Sequence, residues 1–451
     1  MAQDAADEGP LTRDVLIGHL AKGAKAHAHF HIGAEHEKFP FRTGSFEPIP
    51  YEPQGIRDLL EGMQRFDWEP VYEGEHLIAL SRGGASVSLE PGGQFELSGA
   101  QLESIHDVAE ETALHLVEAK AAGEALGVGL LGMGMTPLWS RSEIPVMPKG
   151  RYRIMREYMP KRGSLGLDMM FRTCTVQANL DFASEADMVA KFRTSLALQP
   201  IATALFANSP FTEGRPNGYL SFRAHIWSDT DPDRTGLLDF VFQDGFGFER
   251  YVDYALDVPM YFARREGRYR DLSGRSFRKF VDGKLDEMPG ERAGLEDWAD
   301  HLTTIFPEVR LKQYLEMRGA DSGPFERLVA LPALWVGVLY DDAALAAAWD
   351  LAKGWTAEDR VKLGADVTRL GLKAEVAGRS VQAVAQDLIA IARAGLKNRA
   401  RRGPTLADET VYLNPLDEIA ASGITPAERL LERYHGAWQG DVRNAFDELA
   451  Y

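Results

Sequence analysis

Glu35 and Glu37 stand two residues apart in the run His31-Ile32-Gly33-Ala34-Glu35-His36-Glu37-Lys38-Phe39. In an extended strand that spacing puts both carboxylates on one face. Side by side they repel each other unless something positive sits between them, and a hard divalent cation such as Mg2+ takes oxygen ligands of this kind. A solvated strand edge would carry the same two acids at little cost. On this stretch alone both readings are open.

Four further stretches carry polar residues on alternate positions. Within residues 173–181, Thr175, Gln177 and Asn179 share one face against Cys174, Val176, Ala178 and Leu180. Within residues 219–227, Tyr219, Ser221, Arg223, His225 and Trp227 oppose Leu220, Phe222, Ala224 and Ile226. Within residues 311–318, Tyr314, Glu316 and Arg318 oppose Leu315 and Met317. Within residues 86–98, Ser86, Ser88 and Glu90 alternate with Val87 and Leu89, and after Pro91-Gly92-Gly93 the pattern resumes with Gln94, Glu96 and Ser98. A half-solvated sheet also alternates, but its wet face normally carries Thr, Lys and Glu. Here the faces carry Gln, Asn, Arg, Trp, His and isolated acids, which predicts a polar cup lined by five strands, its reverse side covered by helices. Such a cup would gather Glu35, Glu37, Glu90, Glu96 and Glu316 with Arg223 and Arg318. Carboxylates around metal ions, joined by guanidinium forks, are suited to handling a nucleoside triphosphate.

The elements that must hold these residues follow from periodicity and turn signals. Residues 11–25, 54–66, 100–125, 151–158 and 185–206 read as helices, the last capped by Ser184. Residues 72–98 read as three short strands broken by Glu73-Gly74, Arg82-Gly83-Gly84 and Pro91-Gly92-Gly93. Residues 128–135, 171–181, 219–227 and 309–318 read as strands. From Pro332 onward the pattern is mainly helical, with Val381, Val384, Leu388 and Ile391 forming one apolar stripe. Arg399, Arg401 and Arg402 before Gly403-Pro404 read as a solvated helix end whose cations complement the dipole. The expected fold class is α+β: a curved, mainly antiparallel sheet flanked by helices, with a helical C-terminal third. Residues 1–12 read as a disordered tail and 13–451 as a single catalytic domain.

Composition excludes several function classes. The 451 residues are 45% hydrophobic and 26% charged, which suits a large buried core. The net charge of −17 argues against a nucleic-acid or anionic-membrane partner. With one cysteine, Cys174, an intramolecular disulfide and a cysteine-based zinc or iron–sulfur site are ruled out. The single cysteine suits a reducing compartment, and the expected location is cytoplasmic. The acidic start of the chain has no secretory-signal pattern, and no apolar run reaches about 18 residues.

Several motifs carry a resemblance. Glu35 with His36-Glu37-Lys38-Phe39, Ser88-Leu89-Glu90-Pro91-Gly92-Gly93-Gln94-Phe95-Glu96-Leu97-Ser98 and Met147-Pro148-Lys149-Gly150-Arg151-Tyr152 are similar to the plant-type glutamate–cysteine ligases. So are Asp168-Met169-Met170 with Arg172-Thr173-Cys174-Thr175-Val176-Gln177, Ala207-Asn208-Ser209-Pro210-Phe211, His225-Ile226-Trp227 and Tyr314-Leu315-Glu316-Met317-Arg318-Gly319-Ala320-Asp321. The likeness runs from about residue 15 to the C-terminus.

This resemblance implies a sheet funnel related to glutamine synthetase. It implies an ATP-dependent enzyme that makes γ-glutamylcysteine through γ-glutamyl phosphate. Glu35, Glu37, Glu90, Glu96, Gln177 and Glu316 are then expected at the Mg2+ and phosphate site. Arg151, Tyr152, Thr175, Arg223 and Trp227 are expected around glutamate, and Lys38, Asn179 and Arg318 at ATP. Glu37, Glu316 and Arg318 are the expected catalytic groups. The partners implied are L-glutamate, L-cysteine and ATP, without nucleic acid or membrane, for a monomer or weak homodimer.

An acyl-phosphate route needs no protein nucleophile, so Cys174 reads as a packed core residue. Leu272 and Glu287 stand where the plant relatives' hairpin cysteines are expected, so the disulfide switch is absent. His27-Ala28-His29-Phe30-His31 lies outside the resemblance and reads as a tolerated strand face in preference to a metal site. Gly132-Met133-Gly134 reads as a strand-end turn. Three alternatives share parts of this pattern: a γ-glutamyl ligase for another amine, a metal hydrolase using the His/Glu strand, and a non-catalytic glutamate or nucleotide binder.

Overall fold

A computed structural model describes residues 11–404 and 407–451. The expected tail therefore lies outside the described residues up to position 10, whereas Leu11 is buried and Thr12 caps the first helix, Arg13–Ala21.

The sheet is built on β1 (Ile32–Arg42), whose alternation is the one expected. Ile32, Ala34, His36 and Lys38 are buried, and Gly33, Glu35 and Glu37 face the other way. From Phe39 to Phe41 the strand is buried on both faces, where it pairs with β6 (Val128–Leu131). The segment expected as three strands forms four: β2 (Glu69–Glu73), β3 (His76–Arg82), β4 (Ala85–Leu89) and β5 (Phe95–Ser98). With β7 (Thr175–Leu180), β8 (Val309–Leu311) and β9 (Leu315–Asp321) they complete a nine-stranded sheet in the order β8-β9-β7-β1-β5-β4-β3-β2, with β6 on β1. Every pairing in it is antiparallel.

Register brings the polar positions into rows. Glu35 lies opposite Gln177 on β7 and Ser98 on β5, Glu37 opposite Glu96, Ser88 opposite Glu96, and Glu316 opposite Asn179. Four of the five expected strands thus share one polar face.

The reverse face is covered as the periodicity requires. α1 (Ile105–Glu124) starts at a capping box between Ser104 and Asp107. α4 (Glu185–Phe206) starts at Ser184, whose hydroxyl accepts from the Asp187 N–H. α6 (Phe325–Leu339) is buried from Arg327 to Leu339, as expected of a helix with neighbours on all sides. It meets α7 (Val381–Arg399) at glycines: a Cβ on Gly395 would fall 1.9 Å from the Gly337 carbonyl oxygen, so only glycine permits this approach. No single helix among the described residues is long and apolar enough to cross a membrane.

Two expected strands are not strands. His27–His29 form an exposed 3-10 turn that ends before β1 begins, so these imidazoles do not continue the Glu35/Glu37 face. Residues 219–227 contain α5 (Phe222–Trp227), capped by the Ser221 hydroxyl accepting from the Ala224 N–H. Arg223 and Trp227 are four apart, so the helix keeps them on one face.

Candidate active site

Helices α2 (Gly150–Tyr158) and α3 (Gly166–Arg172), with α5, close over the polar face and leave a cleft of about 560 Å³. Glu37 and Glu90 contribute acids to its lining. Arg151, Arg223 and Arg318 contribute guanidinium groups, and Tyr152, Thr175 and Trp227 complete the expected part of the wall. The remaining expected acids and amides, Glu35, Glu96, Gln177, Asn179 and Glu316, continue along the same sheet face.

The acids are held close by local structure. The Pro91-Gly92-Gly93 turn folds β5 back on β4, and a Cβ on Gly92 would come within 2.5 Å of the Phe171 carbonyl oxygen. The turn is fixed by Gln94, which is 2% exposed. Its amide donates to the Met170 and Thr173 carbonyls and accepts from the Gly92 N–H. Glu96 accepts from the Ser88 hydroxyl at 3.0 Å, and Glu37 from the Thr175 N–H at 2.9 Å. Burial and the neighbouring charge of Glu90 push Glu96 up to about 7. Burial, followed by the charges of Glu96 and Glu90, drives Glu37 well above the ordinary carboxylate range. Glu35, buried and facing the charges of Glu316 and Glu96, is pushed up to about 7, although Asn179 donates to it at 2.7 Å. This is the electrostatic pattern of a carboxylate group that lacks a cation.

Glu316 differs. Burial works against its charge, but Arg310, Lys312 and Arg318 outweigh that and hold it well below the ordinary range. Arg310 grips both of its oxygens, at 2.5 and 2.9 Å, and Arg318 donates to it at 2.8 Å. Arg318 also donates to Gln177 Oε1 at 2.6 Å, while Gln177 Nε2 reaches Glu35 at 3.3 Å. In this arrangement two expected metal ligands have other partners: the oxygens of Glu316 and Gln177 orient Arg318. The expected role of Lys38 is corrected. Adjacent residues of a strand face opposite ways, so Lys38 points into the core, 0% exposed, 2.8 Å from His115 Nε2, and is remote from any nucleotide on the polar face.

The cationic wall has the opposite shortage. The Arg223 guanidinium donates one hydrogen bond, from Nη2 to the Arg318 carbonyl, and its buried Nε and Nη1 have no partner among the described residues. Arg151 Nε and Trp227 Nε1 are also buried and unpartnered. The guanidinium carbons of Arg223 and Arg318 each lie 5.9 Å from the centre of the Trp227 ring. Buried charged donors left unpaired are costly, and an anionic ligand relieves that cost. Two expected glutamate contacts are already occupied: the Tyr152 hydroxyl donates to the Leu89 carbonyl and the Thr175 hydroxyl to the Ala320 carbonyl. They shape the wall in place of offering free donors.

Other residues line the cleft or stand just behind its wall, as Lys149 does. Lys149 donates to the Leu89 carbonyl at 2.7 Å, with its ammonium lowered to about 8 chiefly by burial. Met155, Met169, Met170 and Phe306 form an apolar wall. Lys149, Met169 and Met170 sit inside motifs that resemble the ligases, which was the available signal; Phe306 gave none.

No three His, Cys, Asp or Glu side chains among the described residues stand close enough to hold a metal ion unaided. The donors on this face are hard oxygens that burial makes reluctant to ionise alone. They suit a cation completing its shell with phosphate oxygens and water.

Known proteins resemble this chain in sequence and in fold. The pattern described as Glutamate-cysteine ligase family 2 (GCS2) matches residues 31–448. The chloroplastic glutamate–cysteine ligase of Nicotiana tabacum is 58% identical over 443 residues, covering 98% of this chain and 83% of that protein. The chloroplastic enzyme of Arabidopsis thaliana is 57% identical over the same length, with the same coverage. The crystal structure of the Francisella tularensis glutamate–cysteine ligase in complex with AMP has a TM-score of 0.59 at 13% identity, over 93% of this chain and 87% of that one, a likeness of fold. The expectation of a cytoplasmic location is overturned by these relatives, which are chloroplastic enzymes.

Proposed function

The chain belongs to the glutamate–cysteine ligase family 2, and we propose that the cleft between the polar sheet face and helices α2, α3 and α5 is where its reaction takes place. The enzyme joins the γ-carboxylate of L-glutamate to the amine of L-cysteine at the expense of ATP, giving γ-glutamylcysteine, ADP and phosphate, the first step of glutathione synthesis. A γ-carboxylate oxygen takes the terminal phosphoryl group of ATP and ADP leaves. The cysteine amine then attacks the acyl carbon, loses a proton and expels phosphate. Catalysis is largely positioning and neutralisation of phosphoryl charge.

The observation that carries the site assignment is the set of unpartnered donors on Arg223, Arg151 and Trp227. They suit the carboxylates of glutamate, with Tyr152 and Thr175 shaping the wall. Arg318, held by Glu316 and Gln177, suits the charge of the transferred phosphoryl group. Met155, Met169 and Met170 offer a polarisable surface that suits a thiol side chain. Asn179, whose buried Oδ1 is unpartnered, is the expected nucleotide contact that lies on the correct face. Glu35, Glu37, Glu90 and Glu96 would hold Mg2+ jointly with nucleotide phosphates. That ion, when bound, neutralises phosphate charge. The net charge of −17 supports a protein that works on small molecules and not on nucleic acid or anionic membranes.

Arg223→Ala tests the assignment. Loss of a charge-assisted pair is worth about 1.5–3 kcal/mol, so KM for glutamate should rise about 10- to 100-fold while KM for ATP stays nearly constant. An equal rise in both, measured as ADP release with cysteine as acceptor, would remove Arg223 from the glutamate site.

A further inference from the structure

A second and larger cavity, of about 1440 Å³, opens against another side of α5. Its walls come from α4, α5, residues 235–237 and the helix Ala357–Leu370. Two polar groups project into this largely apolar space. Gln199 is 1% exposed and both its amide atoms are unpartnered among the described residues. Glu308 is half-buried, burial raises its carboxyl against the opposing charges of Arg223 and Arg318, and no hydrogen bond reaches its carboxylate among the described residues. The two head groups are close to each other: a Cβ placed on Gly319 would lie 2.5 Å from Glu308 Oε2 and 2.6 Å from Gln199 Nε2. Glu308 and Trp227 also line a narrow gap together with Arg223 and Arg318, so this cavity and the catalytic wall border the same space.

The chemistry of the pair selects the ligand. An anion would be repelled by Glu308, and a wholly apolar molecule would leave both head groups dry and unpaired. A metal ion would find a single carboxylate. A primary ammonium satisfies both, donating to Glu308 and to Gln199 Oε1. At another part of the wall Arg369 stacks on the Tyr219 ring at 3.8 Å, which disfavours a second positive charge there. We propose that this cavity binds a small monocationic primary amine with an apolar body, and that its occupancy tightens the hold on glutamate in the catalytic cleft.

The coupling rests on the reading of Arg223 as a glutamate contact. With the cavity empty, the Glu308 carboxylate competes for the field of Arg223 and Arg318. An ammonium ion on Glu308 cancels that competition and leaves both guanidinium groups to the anions in the cleft. Coupling of this kind is reciprocal, so glutamate must tighten amine binding by the same factor.

L-leucinamide is a suitable probe, since it carries the ammonium, an amide for Gln199 and an apolar chain, but no carboxylate or thiol. Calorimetric titration into the full-length chain, with glutamate and ADP saturating the cleft, should show binding that weakens about tenfold or more in Glu308→Gln and in Gln199→Leu. In wild type, L-leucinamide should lower the glutamate Kd about threefold or more, and in Glu308→Gln it should not. Leu237→Trp, which fills the cavity without touching either head group, should abolish the response while glutamate still binds. Binding lost when the cleft is filled, binding unchanged by Glu308→Gln and Gln199→Leu, or an unaltered glutamate Kd would each overturn the proposal. If Arg223→Ala leaves the glutamate requirement unchanged, the cleft assignment fails. Glu308-dependent binding of L-leucinamide is read independently of that result.

Discussion

The two carboxylates that attract most attention in β1 and β9 have opposite surroundings. Glu37 is short of positive charge, whereas Glu316 is saturated with it. Removing the charge of Glu316 would leave the buried Arg310 guanidinium without its carboxylate and loosen Arg318, and breaking a buried pair from one side costs about 3–5 kcal/mol. Glu316→Gln should therefore lose about that much stability in urea unfolding and lower kcat through a displaced Arg318. A variant of normal stability with impaired kcat would instead make Glu316 a direct participant. Parity alone placed Glu316 and Arg318 on the polar face of their strand. It did not reveal that Arg310 would cross from β8 to claim both oxygens, because that depends on the β8–β9 register. Lys38 shows the reverse. Its proximity to Glu37 in a motif suggested a nucleotide contact, although being adjacent in a strand already assigned it to the opposite face.

At the level of elements, α5 shows where pattern reading reaches its limit. The run 219–227 alternates like a strand, yet Arg223 and Trp227 are also one helical turn apart, and both periods put them together. The choice is made by Ser221, whose hydroxyl caps the helix and donates to Asp321 Oδ1 at 2.9 Å. Asp321 also accepts from the Ser209 hydroxyl, so β9 carries the helix that presents Arg223. Ser221→Ala should cost about 1 kcal/mol of stability, as loss of a cap does. It should also raise KM for glutamate several-fold with little change for ATP; a change confined to stability would separate the cap from substrate binding. The long helices were legible because their caps and apolar stripes are local, as with Ser184 and residues 185–206. The sheet order was not, since it joins β1 to β7 and β9 across long separations in the chain.

At the scale of the whole molecule, the acid cluster makes the ligand-free enzyme sensitive to pH. Glu35 and Glu96 move from 4.5 to about 7 on folding. Between those values the folded chain retains protons that the unfolded chain has released. Stability thus falls as pH rises through that window and stays low above it. Tm of the ligand-free protein should decline from pH 5 to pH 7.5. Mg2+ with a non-hydrolysable ATP analogue should raise Tm more at pH 8 than at pH 6, because protons compete for the same oxygens. A flat profile, or an equal ligand effect at both pH values, would show that these acids ionise freely without a cation.

β1 also constrains how the protein can vary. Its even-numbered positions from Ile32 to Lys38 pack the interior and its odd-numbered positions Glu35 and Glu37 serve the cleft, so a slip of one residue would exchange the two sets. In a saturation mutagenesis library selected for growth without added γ-glutamylcysteine, most strands would show intolerance at every second codon. Positions 34–38 should show a continuous block, whose even members fail through loss of soluble protein and whose odd members, Glu35 and Glu37, fail as abundant, inactive enzyme. A lineage could therefore retune this enzyme's substrates from α5 or the second cavity far more readily than from the strand on which its chemistry stands.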